Sequence, residues 1–245
     1  MVDRSFADPS LAALYDSLNP WGPCDDFYAG LVRDASTVLD VGCGTGRLLA
    51  RARATGHRGR LVGIDPAAAM LVQARRRAPG VEWVLGDLRS QVWHGEFELV
   101  VMTGHAFQAL VAEEDVRQTL RAVRDALRAG GRFVFETRNP AARAWEGWGP
   151  EHIRECADAE GSVAWMWQQV TRPVLGDRVT FTETYEGVRW NGPRVSTTTL
   201  RFLDRHGIER FLAEAGLTVV EQYGDWGRGP MTAASPEIIT VAGRR

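Results

Sequence analysis

The run Val38-Leu39-Asp40-Val41-Gly42-Cys43-Gly44-Thr45-Gly46 carries an apolar strand into a glycine-rich turn, where backbone can approach a ligand that any Cβ would fend off. The dinucleotide fingerprint G-x-G-x-x-G would put its third glycine at position 47, which here is Arg47, so the spacing is G-x-G-x-G preceded by an acid. Alone such a turn is weak. Asp65 closes Leu61-Val62-Gly63-Ile64-Asp65, 23 residues after Gly42, where a carboxylate can accept hydrogen bonds from both hydroxyls of a ribose. Asp87, in Val84-Leu85-Gly86-Asp87-Leu88, can accept from an exocyclic amine while a backbone N–H serves a ring nitrogen. The three together describe an adenosine pocket. Asp65-Pro66 would also serve as an ordinary helix N-cap with proline at N1, a compatible role.

Two side chains qualify as proton acceptors. His105, in Met102-Thr103-Gly104-His105-Ala106-Phe107-Gln108, has an imidazole suited to proton transfer near pH 7; its plainer reading is a ligand hydrogen bond or a turn cap. Glu183 stands among Val179, Phe181 and Tyr185 on an apolar face, and its plainer reading is an edge-strand charge or the partner of an arginine. The five histidines show no H-x-x-x-H spacing, so no metal is expected.

These residues need a scaffold that brings strand ends together. Strand-like runs at Thr37–Val41, Arg60–Ile64, Val81–Leu85, Leu99–Met102 and Arg132–Glu136 alternate with helical segments at Arg47–Ala54, Ala67–Ala78 and Glu113–Arg128. Such alternation marks a parallel sheet covered on both faces, with ligands at the carboxyl ends of its strands. In the last of those helices Val116, Leu120, Val123 and Leu127 recur at spacings of three and four, and Gly130-Gly131 follows as a stop. Two helical pieces, Ser10–Leu18 and Asp25–Asp34, precede the first strand, and the Arg75-Arg76-Arg77 run reads as a solvated helix face. From Val163 to Leu203 the pattern becomes a three-stranded antiparallel meander with reversals at Gly176-Asp177 and Asn191-Gly192. A helix at His206–Ala215 and strands at Leu217–Tyr223 and Glu237–Ala242 follow. The fold expected is α/β: a Rossmann-like, doubly wound, seven-stranded, mostly parallel sheet with an inserted antiparallel β meander.

Composition removes other chemistries. All 29 basic side chains are arginine, which excludes lysine Schiff bases, pyridoxal aldimines and P-loop or kinase lysines. A formal net charge of −2 gives no reason to expect nucleic acid or an anionic membrane as partner. Cys24, Cys43 and Cys156 suggest neither a disulfide framework nor a zinc site, and Met1 to Phe6 lacks a signal-peptide core. A cytoplasmic protein is expected.

The ordered set Asp40-Val41-Gly42-Cys43-Gly44-Thr45-Gly46, Gly63-Ile64-Asp65, Gly86-Asp87-Leu88 and Leu127-Arg128-Ala129-Gly130-Gly131-Arg132-Phe133 resembles the class I S-adenosylmethionine-dependent methyltransferases over residues 36 to 137. The resemblance implies S-adenosyl-L-methionine as cofactor and S-adenosyl-L-homocysteine as product. It places Gly42, Cys43 and Gly44 along the methionine part with Asp40 nearby, and Thr103 and Gly104 beneath the methionyl end. Asp65 holds the ribose, Pro66 and Met70 pack on the adenine, and Asp87 and Leu88 read its edge. Tyr15 and Trp21 resemble positions that close over the cofactor.

Three divisions are expected: an N-terminal helical segment, 1–35, closing over the cofactor; a cofactor-binding domain, 36–140 and 204–245; and an inserted lid or dimer meander, 141–203. Five of nine tryptophans, Trp145, Trp148, Trp165, Trp167 and Trp190, fall in the insertion, where they either line an acceptor pocket or form the meander's own core or a homodimer face. Phe107, Arg138, Trp145, Trp148 and Arg201 are the candidate substrate contacts, the arginines for a carboxylate or simply a neighbouring acid. The activity expected is methyl transfer to an O or N atom of a small molecule. The alternatives are a non-catalytic cofactor-binding or scaffold protein and an NAD-dependent oxidoreductase.

Overall fold

Why the chain folds into layers is visible in its longest central helix, whose apolar side chains sit three and four apart and so bury one stripe. In the computed structural model, which describes residues 2–158 and 161–244, Val116, Leu120 and Val123 are fully buried. Each contributes about 2 kcal/mol by leaving water. In chain order the elements are α1 (Arg4–Ala7), α2 (Pro9–Ala12), α3 (Tyr15–Leu18), α4 (Pro23–Asp34), β1 (Thr37–Val41), α5 (Arg47–Ala54), β2 (Arg60–Asp65), α6 (Ala68–Arg77), β3 (Glu82–Leu85), β4 (Phe97–Met102), α7 (Glu113–Ala126) and β5 (Leu127–Arg138). An insertion then supplies β6 (Arg154–Ala157), β7 (Val163–Val170), β8 (Arg178–Gly187) and β9 (Arg194–Arg201), before α8 (Arg205–Glu214), β10 (Leu217–Tyr223) and β11 (Glu237–Arg244).

The main sheet runs β10-β11-β5-β4-β1-β2-β3, with β11 antiparallel to both neighbours and β5, β4, β1, β2 and β3 mutually parallel. Its fold is Rossmann-like. Alternation along the strands splits the core: Leu39 and Val41 face Val116, Leu120 and Phe211 of α7 and α8, while Val38 and Val134 face Tyr28, Val32, Leu48 and Leu49 of α4 and α5. By the same alternation Asp40 and Glu136 fall on the α4 side. No helix among the described residues is long and apolar enough to cross a membrane.

The structure departs from the sequence pattern in three places. The insertion is a four-stranded antiparallel sheet, β6-β7-β8-β9, because Arg154–Ala157 adds an edge strand to the three expected. The Ser10–Leu18 helix is broken into α2 and α3, with Leu11, Leu14 and Leu18 turned together onto the inner face of the inserted sheet against Met166 and Tyr185. Finally α7 stops at Ala126 and Leu127 already pairs with Phe97; the register then jumps to Leu99 against Arg132, with Gly130 at φ +74° in the looped-out segment.

The inserted sheet and the N-terminal helices form one layer above the strand ends. Ser5 donates its backbone N–H to Ser196 Oγ at 3.0 Å, Thr198 donates to Asp3, and Arg194 reaches Asp8.

Candidate active site

The glycine turn between β1 and α5 is left-handed at Gly42, Gly44 and Gly46, with φ of +74°, +54° and +70°. Two of these glycines also make room. A Cβ on Gly42 would lie 3.0 Å from Ala106 Cβ in the loop after β4, and one on Gly46 would lie 2.4 Å from the indole of Trp83. Asp65 staples the turn to the next strand end: its Oδ2 accepts from the Gly44 N–H and its Oδ1 from the Ala67 N–H, each at 2.8 Å. From the other side Asp16 of α3 accepts from the Thr45 hydroxyl at 2.7 Å and pairs with Arg77, while Arg47 donates to Asn19 O and binds Asp25 at 2.8 Å. Arg77 stays on the exposed face expected of its run while its guanidinium reaches Asp16 and Thr45. The N-terminal segment is tied down over the turn by these contacts.

Below the turn three carboxylates converge from three strand ends. Asp40 is 1 % exposed, Glu136 1 % and Asp65 7 %, and among the described residues no arginine forms an ion pair with any of them. Glu136 accepts from the Tyr28 hydroxyl and, at 2.8 Å, from the His105 backbone N–H. Asp40 Oδ1 is buried with no hydrogen-bond partner. Burial, reinforced by the charges of Asp65 and Glu136, pushes the Asp40 carboxyl up to about 8. Burial likewise raises Asp65, against the pull of the Ala67 and Gly44 N–H groups, and Glu136, against His105 and the Tyr28 hydroxyl. An orphaned buried acceptor beside two more acids calls for a cation with N–H donors. A cofactor carrying an ammonium and a sulfonium meets both requirements.

The comparisons agree. Residues 38–131 match the model of the methyltransferase domain family. The chain is 30% identical over 232 residues to the cypemycin N-terminal methyltransferase of a Streptomyces species, covering 86% of this chain and 84% of that one. The chain belongs to the class I S-adenosylmethionine-dependent methyltransferases. It is also 29% identical over 141 residues to the dTDP-4-amino-2,3,4,6-tetradeoxy-D-glucose N,N-dimethyltransferase of Saccharopolyspora spinosa, covering 54% of this chain and 56% of that one. Among solved structures it resembles S-adenosylmethionine-bound CalS10, an amino pentose methyltransferase from Micromonospora echinaspora, at a TM-score of 0.65 and 26% identity over 92% of this chain and 93% of that one. Its cofactor is S-adenosyl-L-methionine, and the nicotinamide alternative falls away.

In the methyltransferase the remaining candidate residues separate into those at the strand ends and those withdrawn from them. The Tyr15 hydroxyl sits 3.3 Å from where a Cβ on Gly104 would be, and burial raises it to about 12. Trp21 donates to Asp26 at 2.7 Å and lies under the guanidiniums of Arg47, which directly follows the turn, and Arg51. Asp87 has both oxygens engaged by Arg89, whose side-chain hydrogen bonds hold its carboxyl below the usual range, and Thr103 and Pro66 line the same edge. The Cys43 side chain packs with Leu71, Ala74 and Trp83; Met70 packs with Ala12 and Ala69; Leu88 is buried in the main core.

Four of the candidate substrate contacts have partners within the protein, which for the tryptophans and Arg201 is the second of the two readings their positions allowed. Phe107 is 2 % exposed and stacked on Phe135 at 4.4 Å, so it belongs to the core. Trp145 and Trp148 pack edge-on against Phe202 and Phe181 as the insertion's own core, because the sheet's inner face must be covered once it leaves the main sheet. Arg201 is occupied by Asp177 at 2.7 Å and by Glu113. Arg138 stays at the edge, donating to Gln108 at 3.0 Å over the ring of Trp148; burial lowers its guanidinium while Glu237, Glu136 and Glu183 pull it back up. Glu183 accepts from Gln168 and from the Tyr185 hydroxyl at 3.0 Å.

Sequence reasoning missed Tyr28, Glu136 and Glu237. Strand alternation could have found Glu136, since an acid two residues beyond the buried Val134 must share its face. Glu237 opens β11, paired in register with Arg138, and its carboxylate meets His105 Nε2 at 3.0 and 3.1 Å.

Proposed function

We propose that this enzyme methylates an amine nitrogen of a small molecule. The observation that carries the reading is a surplus of carboxylates around the strand ends: Glu183 from the insertion and Glu237 and Glu136 from the sheet, against the single guanidinium of Arg138. Such a wall favours a cationic acceptor over an anionic one. The amine acceptors named for cypemycin methylation and for the amino-sugar relatives support the same reading.

S-adenosylmethionine supplies an activated methyl group. Asp40 would take its ammonium on the orphaned Oδ1, the Gly42–Gly44 backbone would run along its methionine, and Asp65 would accept from the ribose hydroxyls while still holding the turn. Asp87 and Leu88 would read the adenine edge beside Pro66, and Tyr15 would close over Gly104. Residues 1–35 and 141–203 would together exclude water and enclose the acceptor, leaving 36–140 and 204–245 to hold the cofactor. A second copy would pack on the insertion's outer face through Trp165 and Trp167, which sedimentation of Trp167→Glu against the wild type tests.

Release of S-adenosylhomocysteine from paired acceptors tests the amine assignment. Turnover is expected with dTDP-4-amino-2,3,4,6-tetradeoxy-D-glucose or with trialanine, and not with their hydroxyl analogues. Turnover of a hydroxyl analogue alone overturns it.

A further inference from the structure

His105 and Glu237 lie 132 residues apart and meet at the carboxyl edge of the sheet. The imidazole Nε2 is 3.0 and 3.1 Å from the two carboxylate oxygens, with the side chains 20% and 13% exposed. The residue is held in the left-handed region at φ +61°, an unusual conformation for a non-glycine residue. Its backbone N–H donates to Glu136, itself fixed by the Tyr28 hydroxyl from α4. Two carboxylates thus hold this one residue, Glu136 by its backbone and Glu237 by its ring. Such an arrangement settles both the place of the ring and its tautomer: Nε2 carries the proton and donates it to Glu237, which leaves the lone pair on Nδ1. Among the described residues Nδ1 has no hydrogen-bond partner.

We propose that Glu237 is a positioning residue that fixes His105 in its Nε2–H tautomer so that Nδ1 takes a proton from the acceptor ammonium. The inference rests on the amine reading above. An ammonium has no lone pair, so one N–H bond must break before transfer. The proton goes to Nδ1 and the electron pair stays on nitrogen. That pair forms the new N–C bond as the methyl's bond to sulfur breaks with its electrons left on sulfur. The imidazolium, stabilised by Glu237, then gives its proton to water. One proton is released for each methyl moved, so charge balances without an oxidant or metal.

The charged groups that act on the pair are Glu136, which feels both its members, and Arg138, which feels Glu237 and, beyond the pair, Glu183 of β8 and Tyr15 of α3. Arg138, paired in register with Glu237, attracts its carboxylate but hydrogen-bonds to Gln108, while both Glu237 oxygens meet the ring.

The test is a double-mutant cycle of Glu237→Gln and His105→Ala, with dTDP-4-amino-2,3,4,6-tetradeoxy-D-glucose and trialanine as acceptors. Calorimetric binding of S-adenosylhomocysteine reports that each variant is folded. Glu237→Gln is expected to lower kcat by about a hundredfold, within the range of proton-transfer catalysis, with the KM for S-adenosylmethionine unchanged and Glu237→Asp restoring part of the loss. In the His105→Ala background the same change is expected to add nothing, and free imidazole should restore turnover only where Glu237 is intact. Equal losses in both backgrounds, or wild-type kcat in Glu237→Gln, overturn the proposal while leaving the amine reading in place. Failure of that reading shows instead in the wild type, as transfer to hydroxyls and not to amines. Independently of any acceptor, nitrogen NMR of histidine-labelled enzyme at pH 8 should show Nε2–H with Nδ1 bare. An Nδ1–H or doubly protonated ring at that pH overturns it.

Discussion

The two halves of the site are made of different material. The cofactor side is built from consecutive backbone: the turn from Gly42 to Gly46, the strand end at Asp65 and the loop at Thr103–Gly104, with side chains mainly stapling those turns. The side proposed for the acceptor is built from side chains gathered across the chain, as in Ser5 on Ser196, Leu14 beside Met166, and His105 on Glu237. A backbone cradle tolerates change only where a Cβ fits, whereas a side-chain enclosure can be respecified one residue at a time. One half is therefore suited to hold a single ligand and the other to vary.

That contrast makes graded predictions. Gly46→Val should abolish S-adenosylmethionine binding in calorimetry, because the new side chain needs the space of Trp83 and a left-handed backbone; retained binding would break the claim that the cradle is intolerant. Leu14→Ala, which opens the joint between the N-terminal helices and the insertion, should cost about 3 kcal/mol in denaturant unfolding. It should raise acceptor KM more than cofactor KM, and the reverse order would merge the two halves. Asp65→Ala should weaken cofactor affinity about a hundredfold, since it removes the charged hydrogen bonds to the turn and, on the proposed reading, those to ribose. Acceptor KM should stay near the wild-type value.

A smaller effect concerns pH. Asp40 in the folded protein titrates near 8, above its ordinary 3.8, so between those values the folded state binds more protons than the unfolded one. Its contribution to stability is present below about pH 4 and is lost as pH rises through about 8. Melting temperatures of the cofactor-free enzyme should fall over that window, and Asp40→Asn should flatten the decline. A decline identical in the variant would assign it to another group. Smallest of all, Arg89→Ala frees the half-buried Asp87 carboxylate and should change cofactor affinity by no more than about threefold, as expected of an ion pair whose arginine is exposed.

The same contrast explains what could be read in advance. The main sheet and the cofactor turns were legible because each is a local pattern: an apolar strand, glycines at fixed spacing, an acid at the strand end. The insertion was legible as antiparallel from its turns, yet its fourth strand, the short run Arg-Glu-Cys-Ala at Arg154–Ala157, lacks the length and β-branching that announce a strand and exists by pairing with β7. On the side proposed for the acceptor, His105 and Glu183 could be picked out as candidates but Glu237 could not, because its meeting with His105 depends on β11 returning beside β5. For Phe107, Trp145 and Trp148 the sequence left the role open, because an aromatic near a strand end looks the same whether it covers a ligand or a core; their contacts with Phe135, Phe181 and Phe202 depend on the tertiary fold.

The joint between the first helices and the inserted sheet has a consequence for inheritance. Leu11, Leu14 and Leu18 have their apolar partners on β6, β7 and β8, and the Asp3 and Asp8 carboxylates bind β9. Neither piece can be exchanged between relatives without stranding the other's apolar face in water. A chimaera that imports a foreign insertion alone should aggregate or lose its N-terminal helices to protease, whereas one that imports both should stay soluble and carry its donor's acceptor preference. The two distant stretches of chain are expected to be inherited together, as one module.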